Sequence, residues 1–312
     1  MLPSVSVVIP TFNGGHLLEK VLSQLRQQRY GGPVDIHVID SESSDSTLKI
    51  AAKYCVQIDS IPHVDFNHGL TRNRAIASSR GDIIVLIAQD AVPANDHLLA
   101  SLVGNYEDPS VGGCYARQIP RPEHDVLIRR NVQNWFAGQD SRRESFIAEE
   151  EAHGHLQPYE LYVFCLFDNV CSSVRRTTWG QIPFRTNAFA EDLDWSKRAL
   201  ESGWKIVYEP QAMVIHSHQR PLSYEFRRTR ICHRKLHELF GLQTVPHKRQ
   251  LLRAITQAAL HDFEYVHKNE PDLLKKLALY ARIPGRVTVG VLGQYLGAQD
   301  AVRGTGRNYP DI

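Results

Sequence analysis

The first ninety residues alternate short apolar runs with amphipathic segments, and each apolar run gives way to polar residues. Val5 to Ile9 reads as a buried strand, Thr11-Phe12-Asn13-Gly14-Gly15 as a turn, and His16 to Gln28 as a helix with Leu17, Leu18, Val21, Leu22 and Leu25 on one face. Val34 to Ile39 makes a second strand ending in Asp40, and a second helix begins at Asp45 and runs to Tyr54. Val56 to Ile58 is a weak third strand, a helix follows from Gly69 to Ser79, and Asp82 to Ala88 carries the strongest strand pattern in the chain. Repeated βα units imply an α/β fold with a mainly parallel sheet and helices on both faces. Open sheets of this kind bind ligands beyond the carboxyl ends of their strands. That places Thr11, Asn13, Asp40, Ser41, Gln89 and Asp90 around one cleft.

The pattern then changes. Residues 119–158 are rich in charge, with an apolar and aromatic patch only near Val132 to Phe136, and read as loops and helices covering the cleft. Order resumes with Leu161 to Val174, a helix from Glu191 to Ser202, and two short strands at Lys205 to Tyr208 and Ala212 to Ile215. From Tyr224 onward strand signals vanish. Segments 224–240, 247–268 and 271–282 read as three helices separated by Gly241, Pro246 and Pro271, with a Gly-rich tail after them. The expected division is a catalytic domain over 1–222, with halves 1–118 and 119–222, and a C-terminal helical region over 223–312.

With 312 residues, 42% of them apolar, the chain can bury a full core, and a formal charge of +2 gives no global reason to expect nucleic acid. Five widely spaced cysteines without a Cys-x-x-Cys pair suggest neither a zinc ribbon nor a disulfide framework and fit a reducing, cytoplasmic setting. The N-terminal apolar run is broken at Pro10 and reads as a strand, and no stretch approaches the ~20 apolar residues of a membrane-spanning helix.

Several residues stand where chemistry could use them. Asp90, directly after the strongest strand, is placed either to bind Mg²⁺ or Mn²⁺ through oxygen or to cap the following turn. Asp40 could accept hydrogen bonds from a nucleobase or ribose, whereas Ser43, Ser44 and Asp45 behind it read as a helix cap. Arg72, in the first turns of a helix opened by Phe66-Asn67-His68-Gly69, could hold a diphosphate with its fork of donors or pair with a neighbouring carboxylate. Glu191, Asp192 and Asp194 crowd a helix start, where the dipole favours negative charge. Adjacent Glu191 and Asp192 cannot face the same way, so one suits a general base and the other a supporting role, with Asp194 a cap. His216 and His218 end a strand on one face, so one of them could complete a metal site with Asp90. No cysteine or third histidine stands at zinc-ligand spacing.

In order, Val-Ile-Pro-Thr-Phe-Asn-Gly (8–14), Asp40-Ser41, Phe-Asn-His-Gly-Leu-Thr-Arg-Asn (66–73), Gln-Asp-Ala (89–91), Glu-Asp-Leu-Asp-Trp (191–195) and His-Ser-His (216–218) resemble glycosyltransferase family 2, over residues 4 to 220. The likeness is greatest to its bacterial rhamnosyltransferase branch. The resemblance implies a GT-A fold, Rossmann-like in its sheet, an inverting reaction, and a nucleotide-sugar donor held with Mg²⁺ or Mn²⁺. It assigns Pro10, Thr11, Asp40, Ser41, His68, Arg72 and Gln89 to the donor, with Gln89 able to hydrogen-bond the sugar. Asp90 matches the last carboxylate of the family's Asp-x-Asp element, and His216 the further metal-associated residue. Asp192 matches the general base, with Glu191 beside it. Ala88-Gln89-Asp90-Ala91 has one Asp where the family pattern has two, so the donor's phosphates are expected to complete the metal shell.

By family analogy the expected donor is dTDP-L-rhamnose, with UDP-galactose and UDP-galactofuranose as alternatives. The expected acceptor is a hydroxyl of a glycan or lipid-linked glycan in cell-surface polysaccharide synthesis. Leu273 to Gly297 carries Lys275, Lys276, Arg282 and Arg286 among Leu, Val and Tyr, which suits an interfacial helix at the cytoplasmic membrane face or a helix packed on the catalytic domain or at a homodimer interface. A non-catalytic sugar-nucleotide-binding module is the rival of another class. A nucleotidyltransferase is disfavoured because Thr11 to Gly15 carries no basic residue for a phosphate loop.

Overall fold

A computed structural model describes residues 1–147, 156–186 and 189–305. They form two compact units: 1–121, 132–153 and 165–217 in the first, and 122–131, 154–164 and 218–312 in the second.

In the first unit, β1 (Val5–Thr11), α1 (Gly15–Arg26), β2 (Val34–Asp40), α2 (Thr47–Lys53), β3 (Gln57–Ser60), α3 (His68–Ser78) and β4 (Ile83–Ile87) follow the sequence reading to within a few residues. β1 through β4 pair in parallel. Leu18, Val21, Leu22 and Leu25 of α1 bury against Val5, Val7 and Ile9, as the helical spacing predicts. The register sets Thr11 beside Asp40 and Asp40 beside Ser60, so the strand ends finish level and their exits share one edge.

The rest of the sheet is mixed. After β5 (Val92–Pro93) and α4 (Leu98–Gly104) come β6 (Val111–Ile119), α5 (Val126–Asn134), β7 (Arg143–Ser145), α6 (Pro158–Phe164), β8 (Cys171–Arg175), α7 (Arg176–Gln181), α8 (Glu191–Glu201) and β9 (Lys205–Ile215). Among the described residues one sheet has the order β3-β2-β1-β4-β8-β6-β9-β5, with β7 on β9. β8 runs antiparallel to both β4 and β6, which makes the family-type sheet mixed and not parallel throughout. The two short strands expected at 205–208 and 212–215 are one strand, β9. Its pairing with β6 slips between Glu209 and Met213, where Pro210 has no N–H to give a ladder. The charged stretch 119–158 holds α5 and β7, and its Glu149–Glu151 run lies outside the described residues.

The second unit is helical: it takes in α6 and residues 126–131 of α5, with α9 (Leu222–Phe240), α10 (Leu251–Asn269) and α11 (Leu273–Val302). α11 corrects the expectation of a helix over 271–282 and a Gly-rich tail. It runs for 30 residues through Pro284. A proline inside a helix breaks a hydrogen bond and costs about 3 kcal/mol. Burial of Leu279, Ile283, Val287 and Val291 on both sides of it supplies the compensating stabilisation. The glycines are a packing face: a Cβ on Gly293 would meet Thr229 of α9 at 2.9 Å, and one on Gly297 would run into the Arg230 carbonyl. Arg230 then pairs with Asp300 through two bonds of 2.6 and 2.9 Å. No helix among the described residues is long and apolar enough to cross a membrane.

Candidate active site

The parallel edge gathers the residues expected to hold the donor. Pro10 and Thr11 close β1, and Thr11 Oγ1 donates back to the Ile9 carbonyl at 3.0 Å. Asp40 closes β2, and its carboxylate accepts from the backbone N–H and hydroxyl of Ser43 at 2.9 and 2.5 Å, tying down the β2–α2 turn. The Ser41 hydroxyl beside it is buried without a hydrogen-bond partner. Asp45 accepts from the Thr47 N–H at 2.9 Å just ahead of α2, whose N-cap position is Ser46. Gln89 clamps the β1 exit: its Oε1 accepts from Phe12 N–H and its Nε2 donates to Phe12 O, both at 3.0 Å. That uses both ends of the amide. Phe12, half-exposed, stacks on His63 with ring centroids 4.2 Å apart and offers an aromatic platform that the sequence reading did not single out.

The start of α8 is built from buried charge. Asn67 caps α3 by accepting from Gly69 and Leu70 N–H, each at 3.1 Å. Asn73 ties that helix to Phe184 through two bonds, at 2.7 and 3.1 Å. Arg72 Nη1 donates to Glu191 at 2.8 Å and to the His68 carbonyl at 3.0 Å, while its Nε is buried without a partner. Asn169 Nδ2 adds a 3.2 Å bond to the same Glu191 oxygen. Arg72 is therefore engaged by a carboxylate. Ala190, which opens α8, sits at φ 59°, a left-handed conformation unusual for alanine that turns the helix start.

Adjacent Glu191 and Asp192 have opposite electrostatics. Burial raises the proton affinity of Glu191, but the neighbouring Arg72 and His68 outweigh it and hold the carboxyl below its usual range. Burial, then the negative charges of Glu191 and Asp168, push Asp192 well above the carboxylate range. Burial also lowers His68, against the pull of Glu191. The Asp192 oxygens accept from Leu193 N–H at 2.8 Å and Asn169 N–H at 3.3 Å. Asp194 pairs with Arg198 at 2.9 Å along the helix surface.

At the β4 exit, Asp90 Oδ1 and His216 Nε2 stand 3.6 Å apart. That is too long for a hydrogen bond. It suits two ligand atoms that each lie about 2.1 Å from a shared cation. One oxygen and one nitrogen ligand fit Mg²⁺ or Mn²⁺ and leave room for phosphate oxygens. Arg121 fixes the Asp90 turn: its Nη2 donates to the Asp90 carbonyl at 2.6 Å, and its backbone N–H donates to Ser217 Oγ at 2.9 Å. Behind His216, Nδ1 lies 3.1 Å from Gln118 Oε1, and Gln118 Nε2 donates to Asp168 at 2.6 Å. Arg121, Gln118, Asp168 and Asn169 were not foreseen. All four lie in or beside β6 and β8, whose patterns are weak in the sequence.

Residues 6–167 match the model of glycosyl transferase family 2. The chain is 30% identical over 231 residues to the O-antigen chain rhamnosyltransferase WbaN of Salmonella anatum, covering 73% of this chain and 70% of that protein. It is 29% identical over 230 residues to the O-antigen chain rhamnosyltransferase RfbN of Salmonella typhimurium, covering 72% and 69%. Among solved structures, the mannosyltransferase PcManGT from Pyrobaculum calidifontis in complex with GDP-Man and Mn²⁺ has the same fold with a TM-score of 0.63 at 18% identity, over 98% of this chain and 89% of that one. Glucosyl-3-phosphoglycerate synthase from Mycobacterium tuberculosis, in complex with Mn²⁺, uridine-diphosphate and glucosyl-3-phosphoglycerate, gives 0.54 at 19% identity, over 78% and 82%. The chain belongs to glycosyltransferase family 2 and is a glycosyltransferase with a GT-A catalytic unit.

Proposed function

We propose that the enzyme transfers L-rhamnose from dTDP-L-rhamnose to a hydroxyl of a glycan or lipid-linked glycan acceptor, with inversion at the anomeric carbon. The single observation behind the chemistry is Asp192, a carboxylate made basic by burial and by Glu191 and Asp168. A general base works best with a proton affinity raised toward the working pH. In the proposed step the acceptor oxygen bonds the anomeric carbon, the bond to the diphosphate oxygen breaks, and the acceptor proton passes to Asp192. Thr11, Asp40, Ser41 and the Phe12 platform would receive the nucleoside, and the unpartnered Ser41 hydroxyl supports that assignment. Arg72 and His68 would serve the diphosphate side, with Glu191 fixing the Arg72 guanidinium in place. Asp90 and His216 would hold Mg²⁺ or Mn²⁺, which would supply positive charge to the leaving diphosphate.

Rhamnose rests on the two rhamnosyltransferase relatives. The test is a donor panel of dTDP-rhamnose, UDP-galactose and UDP-galactofuranose with Mn²⁺, read as free nucleotide released. We expect dTDP release, and an Asp192→Asn protein slower by about 10² to 10⁴-fold. Near-normal turnover in that variant removes Asp192 as base, and release from a UDP-sugar alone replaces the donor.

A second reading concerns where the acceptor is met. Leu273, Leu274 and Leu277, at the start of α11, are exposed beside Lys275 and Lys276, whereas the rest of the helix turns Leu279, Ile283, Val287 and Val291 inward. Apolar side chains flanked by lysines suit an anionic membrane surface. Flotation with phosphatidylglycerol vesicles should carry the full-length protein upward and leave a Leu273→Asp/Leu274→Asp variant behind. Equal flotation, or none by either, rejects membrane docking through these residues.

A further inference from the structure

We infer that Gln118 and Asp168 are positioning residues that fix which nitrogen of His216 faces the metal, an inference that rests on the proposed metal role of Asp90 and His216. Asp168 Oδ1 accepts from Val170 N–H at 2.9 Å, and its Oδ2 faces Gln118 Nε2 at 2.6 Å. A carboxylate only accepts, so the Gln118 group beside it must be the NH₂. The amide cannot flip without setting its oxygen against that carboxylate. Gln118 Oε1 is thereby turned toward His216 Nδ1 at 3.1 Å. An amide oxygen only accepts, so Nδ1 carries the hydrogen. In a neutral ring the lone pair then belongs to Nε2, the nitrogen 3.6 Å from Asp90 Oδ1.

Three residues far apart in the chain thus set the ring's lone pair on the nitrogen that faces Asp90. Gln118 is buried near the end of β6, and Asp168 is anchored just before β8, so the sheet itself holds the relay rigid. Outer partners of a ligating histidine characteristically change metal affinity by about 10 to 100-fold. Asp168 also has a second neighbour. Its charge raises the proton affinity of Asp192, so one carboxylate orients the metal ligand and adjusts the base.

The test has two readouts. In metal-free protein labelled with ¹⁵N-histidine, the neutral His216 ring should carry its proton on Nδ1 in the wild type and lose that preference in Gln118→Met. In Mn²⁺ titrations followed by electron paramagnetic resonance, with dTDP present, Gln118→Met should bind about 10 to 100-fold more weakly. Matched thermal melts exclude general unfolding. A wild-type ring protonated on Nε2, or Gln118→Met binding Mn²⁺ like the wild type while His216→Ala is weakened, overturns the relay and leaves the metal site standing. His216→Ala binding like the wild type, or no binding by the wild type, overturns the metal reading and the relay's purpose with it.

Discussion

The donor edge at the ends of β1 and β2 and the start of α8 belong to the same sheet-based unit, yet they are held by different physics. At the donor edge, polar side chains bind uncharged backbone and hydroxyl groups. Gln89 brackets the Phe12 peptide, and Asp40 is satisfied by Ser43 three residues on. At α8 the partners come from across the fold and carry charge, as in Arg72 with Glu191, 119 residues apart. Hydrogen bonds of this kind contribute about 1 to 3 kcal/mol each and can be exchanged for ligand bonds at little cost. A buried ion pair cannot be opened so cheaply, because either partner left alone is a buried charge. The donor edge is therefore made to adapt and the α8 start to stay fixed.

The most severe test of that contrast is Glu191→Gln. Both side chains of the Arg72–Glu191 pair are 8% exposed, and removing the carboxylate strands a guanidinium whose Nε already lacks a partner. We expect a loss of about 3 to 5 kcal/mol in urea denaturation. Because Glu191 is held below its usual range, its contribution is present at neutral pH and is lost as pH falls through the lowered value. A change under about 1 kcal/mol would show that water or rotation rescues Arg72 and that the α8 start is not rigid.

The neighbouring residue should respond in the opposite direction. The folded state raises the proton affinity of Asp192, so the stability it contributes belongs to acid and is lost as pH rises through its raised value. At neutral pH its ionised form opposes folding. Asp192→Asn should therefore melt higher by roughly 2 to 4 °C at pH 7, while losing transfer activity, and the gain should vanish below the ordinary carboxylate range. A lower melting temperature would mean that the Asn169 and Leu193 hydrogen bonds to the carboxylate outweigh its crowding.

Legibility in the sequence follows the same division. The parallel strands, the buried face of α1 and the carboxylate at the β4 exit were readable because period-two and period-3.6 patterns and strand ends are local properties. The adjacency of Glu191 and Asp192 showed that they must differ, and chain spacing said nothing about the Arg, Asn and Asp that make them differ. Gln118, Asp168 and His216 are separated by 50 and 98 residues, a relation no periodicity carries. β6 escaped notice because Val-Gly-Gly-Cys-Tyr-Ala-Arg-Gln-Ile is buried on both faces for most of its length and does not alternate. α11 was cut short because Pro284 and the glycines after it read as breakers, whereas packing on α9 uses the glycines as contact surface.

The gentlest probe of the contrast is Gln89→Leu at the donor edge. It removes two 3.0 Å bonds to one exposed peptide, whose N–H and carbonyl can turn to water instead. Stability should therefore change by only about 1 kcal/mol. What the clamp does is hold Phe12 against His63 and keep the β1 exit in place for a nucleoside. Freed, the ring must be ordered again by each donor that binds, so calorimetry should find the nucleotide about five to tenfold weaker, equivalent to roughly 1 to 1.4 kcal/mol. The enzyme's turnover at saturating donor should be nearly unchanged, since Asp192 and its neighbours are untouched. If Gln89→Leu destabilises the protein as much as Glu191→Gln does, the donor edge is as rigid as the α8 start. The adaptable half of the comparison would then be gone.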